Sequence, residues 1–589
     1  MTSMLLRSSR LAVACSLGLA LSAQSRPATG PSTVEDVLPP STYAAVCSAG
    51  LAAHVEAANG SSLAPMVRQL LEQLPPELRE RLLEQELTRV ADQVQADLQR
   101  DGWRPADLRA LLARPMALAV GRLTIEGMGP SVALVVDEGD AGPTLRRVRD
   151  LVLRQLPGRN RQQEEVRIGQ HSALVSRAPE QPPLFTASIG GFFVATNSRP
   201  YLGELADVLA GAPAWTKTSR LGELRAELGD RPLMSAFVDG RQLTGWLQPM
   251  LPYETAAYAD VLGLGGIDAI YAATTASGDH LHLGLGGSAR GLCKAAWSQP
   301  VDLSFVGACS PNTVLLAAGS LDLGSLFPAM RQLIDLLPPD AGAELQRELV
   351  GAFRRAGTTA QKVENVLAAL GTQVAIALSL EKGPVPKPEL LLRVAVRDAE
   401  RLAPMLSHVE EAVAQQGLEW KTRELDAHRI RYVQVPFAEA NLQLSPCYVL
   451  HDGALWLASD TAALVRMLRQ TEGELAQAAD MQQLRVHAAK ASGVVHVRSA
   501  RAVELGWRSL AGLLSAQLNE RRDELGVGSE IVPDGEQVAA ALATTTMTWR
   551  VDERGVTVAN HGPLRLGTLW TGLAALVDDV LQRASGRVF

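Results

Sequence analysis

The segment His280-Leu-His282 carries two imidazoles that stand two positions apart. In a β-strand this spacing places both side chains on one face, an arrangement that occurs in zinc sites. Zinc requires further ligands, and no other histidine, cysteine or carboxylate stands at a recognisable spacing from the pair. The pattern therefore favours two surface histidines on an edge strand over a metal site.

Asp140 and Asp398 are the best-placed carboxylates for acid–base chemistry. Each one ends a predicted strand and precedes a predicted helix, but the flanks Glu138-Gly-Asp-Ala141 and Val396-Arg-Asp-Ala399 share no partner acid or base. An aspartate in this position accepts hydrogen bonds from the free N–H groups of the first helical turn. We therefore predict that both aspartates are helix caps.

Sequence motifs of common enzymes are missing or incomplete. The run Gly284-Leu-Gly-Gly-Ser-Ala-Arg-Gly291 is glycine-rich like a phosphate-binding loop but lacks the Gly-Lys-Ser/Thr ending. No Gly-x-Ser-x-Gly, His-Glu-x-x-His or Cys-x-x-Cys motif occurs. We assign no catalytic, cofactor-binding or metal-binding residue and predict no cofactor.

Composition and charge restrict the classes of partner. Of 56 basic residues only seven are Lys, and the net charge is −7 with a pI near 5.9. Nucleic acids and anionic membranes require a concentrated basic surface, so both are disfavoured. Aromatic residues make up only 4% of the chain, which disfavours surfaces for base or carbohydrate stacking.

The first 23 residues have the pattern of a signal peptide. Arg7 and Arg10 precede the apolar stretch 11–21, and small residues follow it at Ser22-Ala23. A polar linker over 24–33 comes next. The sequence therefore predicts an exported protein, periplasmic or secreted, that begins near Gln24 and has no transmembrane span in the mature chain.

The cysteine positions bear on where the mature chain begins and on whether it contains disulfides. Cys15 follows Leu-Ala-Val-Ala and is an alternative, lipid-modified terminus. Of the four later cysteines, Cys293 and Cys309 are nearest to each other, yet four in so long a chain form no disulfide framework. Their pairing stays open; the remaining two are Cys47 and Cys447.

A long-range similarity divides the chain into two units. Residues 107–141 align without a gap with 365–399, an offset of 258, and nine positions are identical. Upstream, Arg68-Gln-Leu-Leu-Glu-Gln-Leu-Pro-Pro76 returns as Arg331-Gln-Leu-Ile-Asp-Leu-Leu-Pro-Pro339. The polar residues Glu164 and His451 have no like counterpart in the aligned unit. We predict tandem homologous repeats at 34–290 and 304–589, joined by 291–303.

Each unit alternates hairpins with helices, which predicts an α+β fold with mainly antiparallel sheets and covering helices. Strands 116–121 and 374–380 alternate large with small apolar residues, and we expect their large side to face the core. Further predicted elements are strands at 131–137, 390–396, 166–177 and 426–435, a last hairpin at 538–550 with 555–560, leucine-rich helical arms broken at Pro75-Pro76 and Pro338-Pro339, and a terminal helix at Leu569–Leu581.

This order of elements resembles a family of exported bacterial proteins that is classed only as a domain of unknown function. The resemblance implies export and two repeats, and it transfers no catalytic residue. We expect a non-catalytic envelope protein that binds a protein, a lipid or a surface component. The alternatives are a hydrolase with its site between the repeats, which requires a convergent polar cluster, and a carrier of a hydrophobic ligand, which requires an apolar cavity.

Overall fold

In the described part of the chain twenty β-strands form one continuous antiparallel sheet, with helices packed on both faces, which confirms the predicted α+β class. The computed structural model describes residues 33–80, 85–100, 102–124, 129–155, 162–178, 182–242, 266–286, 299–337, 339–355, 358–383, 386–437, 442–469, 473–522, 527–563 and 565–585. The predicted signal peptide, Cys15, Cys293 and the end of the glycine-rich run after Gly286 lie outside these residues.

The strands of the N-terminal half are β1 (Thr42–Ser48), β2 (Met116–Thr124), β3 (Gly129–Asp137), β4 (Gln162–Ile168), β5 (His171–Arg177), β6 (Leu184–Ile189), β7 (Phe192–Thr196), β8 (Met234–Asp239), β9 (Ile267–Thr274) and β10 (Gly278–Leu285). Those of the C-terminal half are β11 (Thr313–Ser320), β12 (Leu370–Glu381), β13 (Lys387–Val396), β14 (Trp420–Leu425), β15 (His428–Val433), β16 (Val435–Phe437), β17 (Leu442–Leu444), β18 (Cys447–His451), β19 (Ala454–Ala458), β20 (Gly493–Val497), β21 (Thr545–Asp552) and β22 (Gly555–His561).

Strand order is the same in the two halves of the sheet. From the outer edge inward the N-terminal half runs β4-β5-β6-β7-β3-β2-β1-β8-β9-β10, and the C-terminal half runs β14-β15-β18-β19-β13-β12-β11-β20-β21-β22. The inner strands β10 and β22 pair with each other and join the halves. The small hairpin β16-β17 stands apart from this sheet.

The helices are α1 (Leu51–Asn59), α2 (Leu63–Gln73), α3 (Pro76–Arg79), α4 (Glu86–Arg100), α5 (Pro105–Leu112), α6 (Gly142–Gln155), α7 (Arg199–Leu209), α8 (Trp215–Thr218), α9 (Leu221–Leu228), α10 (Leu323–Asp335), α11 (Pro339–Arg355), α12 (Ala360–Ala369), α13 (Ala399–Gln415), α14 (Thr461–Arg469), α15 (Glu474–Gln477), α16 (Ala479–Ala488), α17 (Ser499–Glu520), α18 (Gly535–Ala541) and α19 (Leu566–Ser585). Short 3-10 turns lie at Val34–Val37, Ser304–Ala308 and Ser529–Ile531.

The small side of the alternating strands faces the main core and most of the large side is only partly buried, so the expectation that the large side would face the core is wrong except at Met116, which is buried with Val136 and Leu145. Ala117 and Ala119 are fully buried beneath α7–α9, whereas Val132 and Leu390 on the opposite face are each 39% exposed. Helices approach a sheet closely where side chains are small, and here the helices supply the core volume, with Leu205 and Trp215 fully enclosed. We call the side covered by α7–α9 and α14–α16 the covered face and the other the open face.

The predicted strand 166–177 is interrupted by a turn at Gly169, whose φ is +58°, between the end of β4 and β5. The predicted strand 426–435 is confirmed as β15, which follows a turn at Asp426, whose φ is +52°. The predicted hairpin at 538–550 begins instead with α18 and enters its strand only at Thr545. Its apolar alanines and valine fit either structure, so periodicity alone did not separate them.

The three described cysteines are buried free thiols. Burial raises the pKa of Cys309 and of Cys447 to about 12 and raises that of Cys47 well above its ordinary value. Each thiol therefore packs as a small apolar side chain. Cys309, one of the two cysteines that are nearest in sequence, is thus a free thiol, and Cys293 lies outside the described residues.

The two twinned aspartates differ in role. Asp398 caps α13, because its carboxylate accepts a hydrogen bond of 3.1 Å from the N–H of Arg401. Asp140 lies one residue too early, since α6 begins at Gly142; its side chain is 94% exposed and pairs with Arg114. The prediction of a helix cap is correct for Asp398 and wrong for Asp140.

Replacing Asp398 with Ala is expected to lower the free energy of unfolding by about 1 kcal/mol, because the N–H of Arg401 loses its acceptor. Replacing it with Asn should cost little, since Asn caps equally well. Asp140→Ala is the matched control and should leave stability unchanged. Urea denaturation of the three variants measures this, and an equal loss at both positions would contradict the assignment.

Candidate functional sites at the centre of the sheet

The junction of β10 and β22 lies at the centre of the sheet. Antiparallel register places Tyr271, His282, Thr557 and Arg550 in one row across β9, β10, β22 and β21. All four side chains point to the covered face, because Tyr271 lies opposite core residue Phe237. The row brings a phenol, an imidazole, a hydroxyl and a guanidinium together from positions far apart in sequence.

His280 and His282 do not lie on an edge strand, so the prediction of two surface histidines is wrong. β10 pairs on one side with β9 and on the other with β22, and His282 is only 3% exposed. Its Nδ1 lies 2.9 Å from the hydroxyl oxygen of Thr557, while its Nε2 is buried with no hydrogen-bond partner.

Two further histidines complete a cluster at the junction. The ring centroid of His561 on β22 lies 5.6 Å from that of His280 and 4.1 Å from that of His487 on α16, against which it stacks. Strand register makes His561 the positional counterpart of His282, because β8, β9 and β10 align Phe237, Tyr271 and His282 in one row, and β20, β21 and β22 align His496, Thr546 and His561 in the other half. The sequence alignment did not detect the equivalence of His282 and His561, because it placed Gly555-Val-Thr557 beside His280-Leu-His282.

A cavity of about 220 Å³ lies over this cluster, between α9 and α16. Space remains above the strands because small residues such as Ala559 stand beside the larger side chains. The walls include Leu224, Glu227 and Leu228 from α9 and His487 from α16, with Lys490 just beyond. A more polar space of about 710 Å³ adjoins it and shares Glu227, Lys490 and Arg550. We call these two spaces together the central cleft.

Most charged side chains of the central cleft form ion pairs with one another. Glu227 on α9 accepts bonds from Arg550, at 3.0 Å, and Arg554, at 2.7 Å, so it links the two halves. Arg550 also lies 2.8 Å from Asp552. In the described part of the chain no carboxylate pairs with Lys490, which is exposed at the rim.

The imidazoles of the cluster are held neutral near pH 7. Burial lowers the pKa of all four, and that of His561 falls to about 4 because the neighbouring His487, His280 and Arg565 add positive charge. Across the described ranges no three His, Cys, Asp or Glu side chains are arranged to hold a metal ion. The cluster therefore offers neutral donors and acceptors.

Stability is expected to fall as pH drops from about 6.5 to 4. Burial also lowers the pKa of the fully enclosed His54 to about 4, so an unfolded chain with ordinary histidines binds protons in this window that the folded chain does not. The contribution of these histidines to the free energy of unfolding is complete above pH 6.5 and is lost toward pH 4. Urea midpoints at several pH values measure the slope, which His561→Asn should reduce; an unchanged slope would contradict the role of His561.

The hydroxyl and imidazole groups near the junction form only part of a catalytic arrangement. Thr557 and His282 form a hydroxyl–imidazole pair, but Nε2 lacks the carboxylate that orients the ring in hydrolytic triads. Thr546 lies 2.8 Å from Nδ1 of His496, and Asp480 lies 3.8 Å from its Nε2, beyond hydrogen-bond length. His496 is 1% exposed and, unlike His282, does not line the central cleft.

An apolar stripe runs along α19, on the open face. The N–H of Gly567 bonds to Asp279, which points away from its neighbour His280 and so places the helix on this face. Four leucines spaced three, four and three residues apart are strongly exposed; they are Leu566 (78%), Leu569 (73%), Leu573 (51%) and Leu576 (46%). We call these four the leucine stripe.

The other side of α19 is packed against helices of the N-terminal half. Ala574 and Leu581 are buried with Leu51 of α1 and Leu112 of α5, and Arg109 of α5 bonds Asp578 at 2.7 Å. The helix is thus fixed in place while its leucine stripe stays uncovered. The predicted terminal helix is confirmed, but its apolar pattern did not separate the buried side from the exposed one.

The open face of the sheet adds exposed apolar area. Large side chains on strands of both halves are 38–49% exposed there; they are Val132, Leu281, Leu390 and Met547. Helix α17 also exposes Leu510, Leu513 and Leu514. Soluble proteins seldom leave many large apolar groups uncovered, and such surfaces typically bind partners.

No family model matches this chain, and no curated protein and no solved structure is similar to it. Among the described helices, none has the length and apolarity that crossing a membrane requires.

Proposed function

We propose that this chain is an exported, non-catalytic binding protein built from two homologous α+β repeats, and that its leucine stripe docks an apolar helix of a partner protein. Export is supported by the basic, apolar and small-residue pattern over 1–23. Binding without catalysis is supported by the incomplete hydroxyl–imidazole groups in the central cleft.

The duplication is supported by two independent comparisons. Residues 107–141 match 365–399, and the strands that contain them, β2-β3 and β12-β13, take the same place in the strand order of each half. A shared ancestor for the repeats accounts for both. In this proposal α19 is an addition to the second repeat that packs on the helices of the first.

The observation that carries the binding proposal is the exposure of the leucine stripe on a helix that is otherwise firmly packed. Fully burying one leucine side chain contributes about 1.5–3 kcal/mol, so four side chains together supply substantial binding energy. The leucine side chains do not contribute this free energy while they are exposed to water. A partner that covers the leucine stripe buries them and gains it.

Spacing and charge favour a helical protein partner over a membrane. Intervals of three, four and three residues form the narrow seam that packs against a second helix. Membrane-surface helices carry Lys or Arg along their flanks, and Leu566–Val577 contains no charged residue at all. The central cleft places charged groups such as Glu227 and Arg550 beside its few apolar side chains, and an enclosed hydrophobic ligand would leave those charges unmatched.

Site-specific photo-crosslinking in cells tests this proposal. A photo-reactive amino acid replacing Leu569 should give an adduct with a discrete protein, whereas the same replacement of Val486 should not. Val486 is the matched control because it is 76% exposed but lies on α16, on the covered face. Adducts with lipid alone would favour the hydrophobic carrier, and equal adducts at both positions would refute specific docking.

A further inference from the structure

The central cleft contains polar groups whose hydrogen-bonding capacity is unused. His282 is 3% exposed and Tyr271 is 1% exposed, and both line the cavity. Among the residues that the structure describes, neither Nε2 of His282 nor the hydroxyl of Tyr271 has a hydrogen-bond partner. Buried polar groups are nearly always paired in folded proteins, so two unpaired groups at one cavity point to a ligand that pairs with them.

The hydrogen bond to Thr557 determines what His282 offers to a ligand. When the Thr557 hydroxyl donates to Nδ1, the neutral ring carries its proton on Nε2. In that tautomer Nε2 is a donor, and the Tyr271 hydroxyl can donate as well, so the two unused groups can pair with an acceptor.

The charge balance of the central cleft favours an anionic acceptor. Its described lining carries three cations, Lys490, Arg550 and Arg554, against the two carboxylates Glu227 and Asp552. The two arginines are engaged with those carboxylates, which leaves the ammonium group of Lys490 uncompensated. A metal cation would meet this excess positive charge, whereas an oxyanion would neutralise it.

We propose that the central cleft binds a small oxyanion, a carboxylate or a phosphate, with Lys490 supplying the countercharge and His282 and Tyr271 donating hydrogen bonds. The cavity of about 220 Å³ restricts the ligand to a small molecule or to a single terminal group of a larger one. This site lies on the covered face and does not depend on docking at the leucine stripe.

Isothermal titration calorimetry of the full-length protein with inorganic phosphate and with succinate tests the proposal. Saturable binding of at least one anion is expected. Lys490→Ala should weaken it about tenfold, the loss expected for one charge-assisted hydrogen bond. Lys421→Ala is the matched control: Lys421 is exposed on β14, far from the central cleft in the strand order, and bonds Gln434, so its removal should not change affinity.

Tyr271→Phe separates ligand binding from a structural role. The variant removes only a hydroxyl that has no partner, so it should fold with equal or higher stability while binding the anion more weakly. Lower stability would assign the hydroxyl to the fold. Absence of saturable binding for both anions, or affinity unchanged in Lys490→Ala, would overturn the proposal.

Selective ¹⁵N labelling of histidine gives a second measurement. Addition of the bound anion should shift the Nε2 resonance of His282 and leave that of His171, on β5, unchanged. Equal shifts at both histidines would indicate a general salt effect and would contradict a site at His282.

Discussion

Replacing Arg225 with Met is expected to lower the free energy of unfolding by about 3–5 kcal/mol, the cost of leaving a buried charge without its partner. Arg225 on α9 lies 3.1 Å from Glu35, whose side chain is only 5% exposed, and 3.1 Å from Asp36. Glu35 also accepts a hydrogen bond from Ser235 on β8. The cluster therefore holds the 3-10 turn at Val34–Val37 and α9 together on the covered face.

Two further variants test the electrostatic origin of that loss. In the double variant Arg225→Met with Glu35→Gln both charges are gone, so most of the stability should return. Arg429→Met is the surface control, because Arg429 and Glu424 form a 3.4 Å ion pair that is 78% and 70% exposed, and exposed pairs contribute at most about 1 kcal/mol. If Arg225→Met lowered the free energy of unfolding no more than Arg429→Met does, the buried charge of Glu35 would not be the cause of the loss.

Replacing Leu569 with Glu and Leu573 with Lys is expected to weaken partner binding by a hundredfold or more. Two leucines that each contribute about 1.5–3 kcal/mol on burial would be lost from the centre of the seam, and each 1.4 kcal/mol is about tenfold in affinity. The pair keeps the net charge constant, and Glu four residues before Lys stabilises a helix. Stability should therefore be unchanged or slightly higher.

Measurement uses the partner identified by crosslinking, with affinity determined by biolayer interferometry and stability by urea denaturation. Val486→Glu on α16 is the control for an added surface charge and should bind normally. Retained affinity in the double leucine variant would show that the leucine stripe is not the docking surface. Loss of both affinity and stability would instead indicate damage to the packing of α19.

Local patterns predicted many elements correctly. Alternation identified β2, β3, β12 and β13, glycine and aspartate turns located the hairpins, and the strand-to-helix position of Asp398 identified a cap. Asp140 shows the limit of this reasoning, because one residue of difference in the start of α6 turns a cap into an exposed ion pair. Helix starts depend on packing as well as on local sequence.

The candidate sites were largely beyond sequence reasoning. His280 and His282 were visible as a pair, but His487 and His561 join them only through the pairing of β10 with β22 and the packing of α16. A spacing pattern detects ligands on one strand or helix, whereas this cluster draws on three elements. The sequence carried one sign of this cluster, which is His561 directly after the predicted strand 555–560 of the final hairpin.

By itself the sequence determined the α+β class, the order of strands and helices and the two-sided character of each strand, because these follow from local periodicity and turn residues. Tertiary structure alone decided which side of the strands is covered, since alternation defines two faces but not the volume of the helix that packs on them. It also decided that β10 meets β22 and that α19 packs on the N-terminal half while its leucines stay exposed. Such contacts join residues hundreds of positions apart, and their register depends on the whole fold.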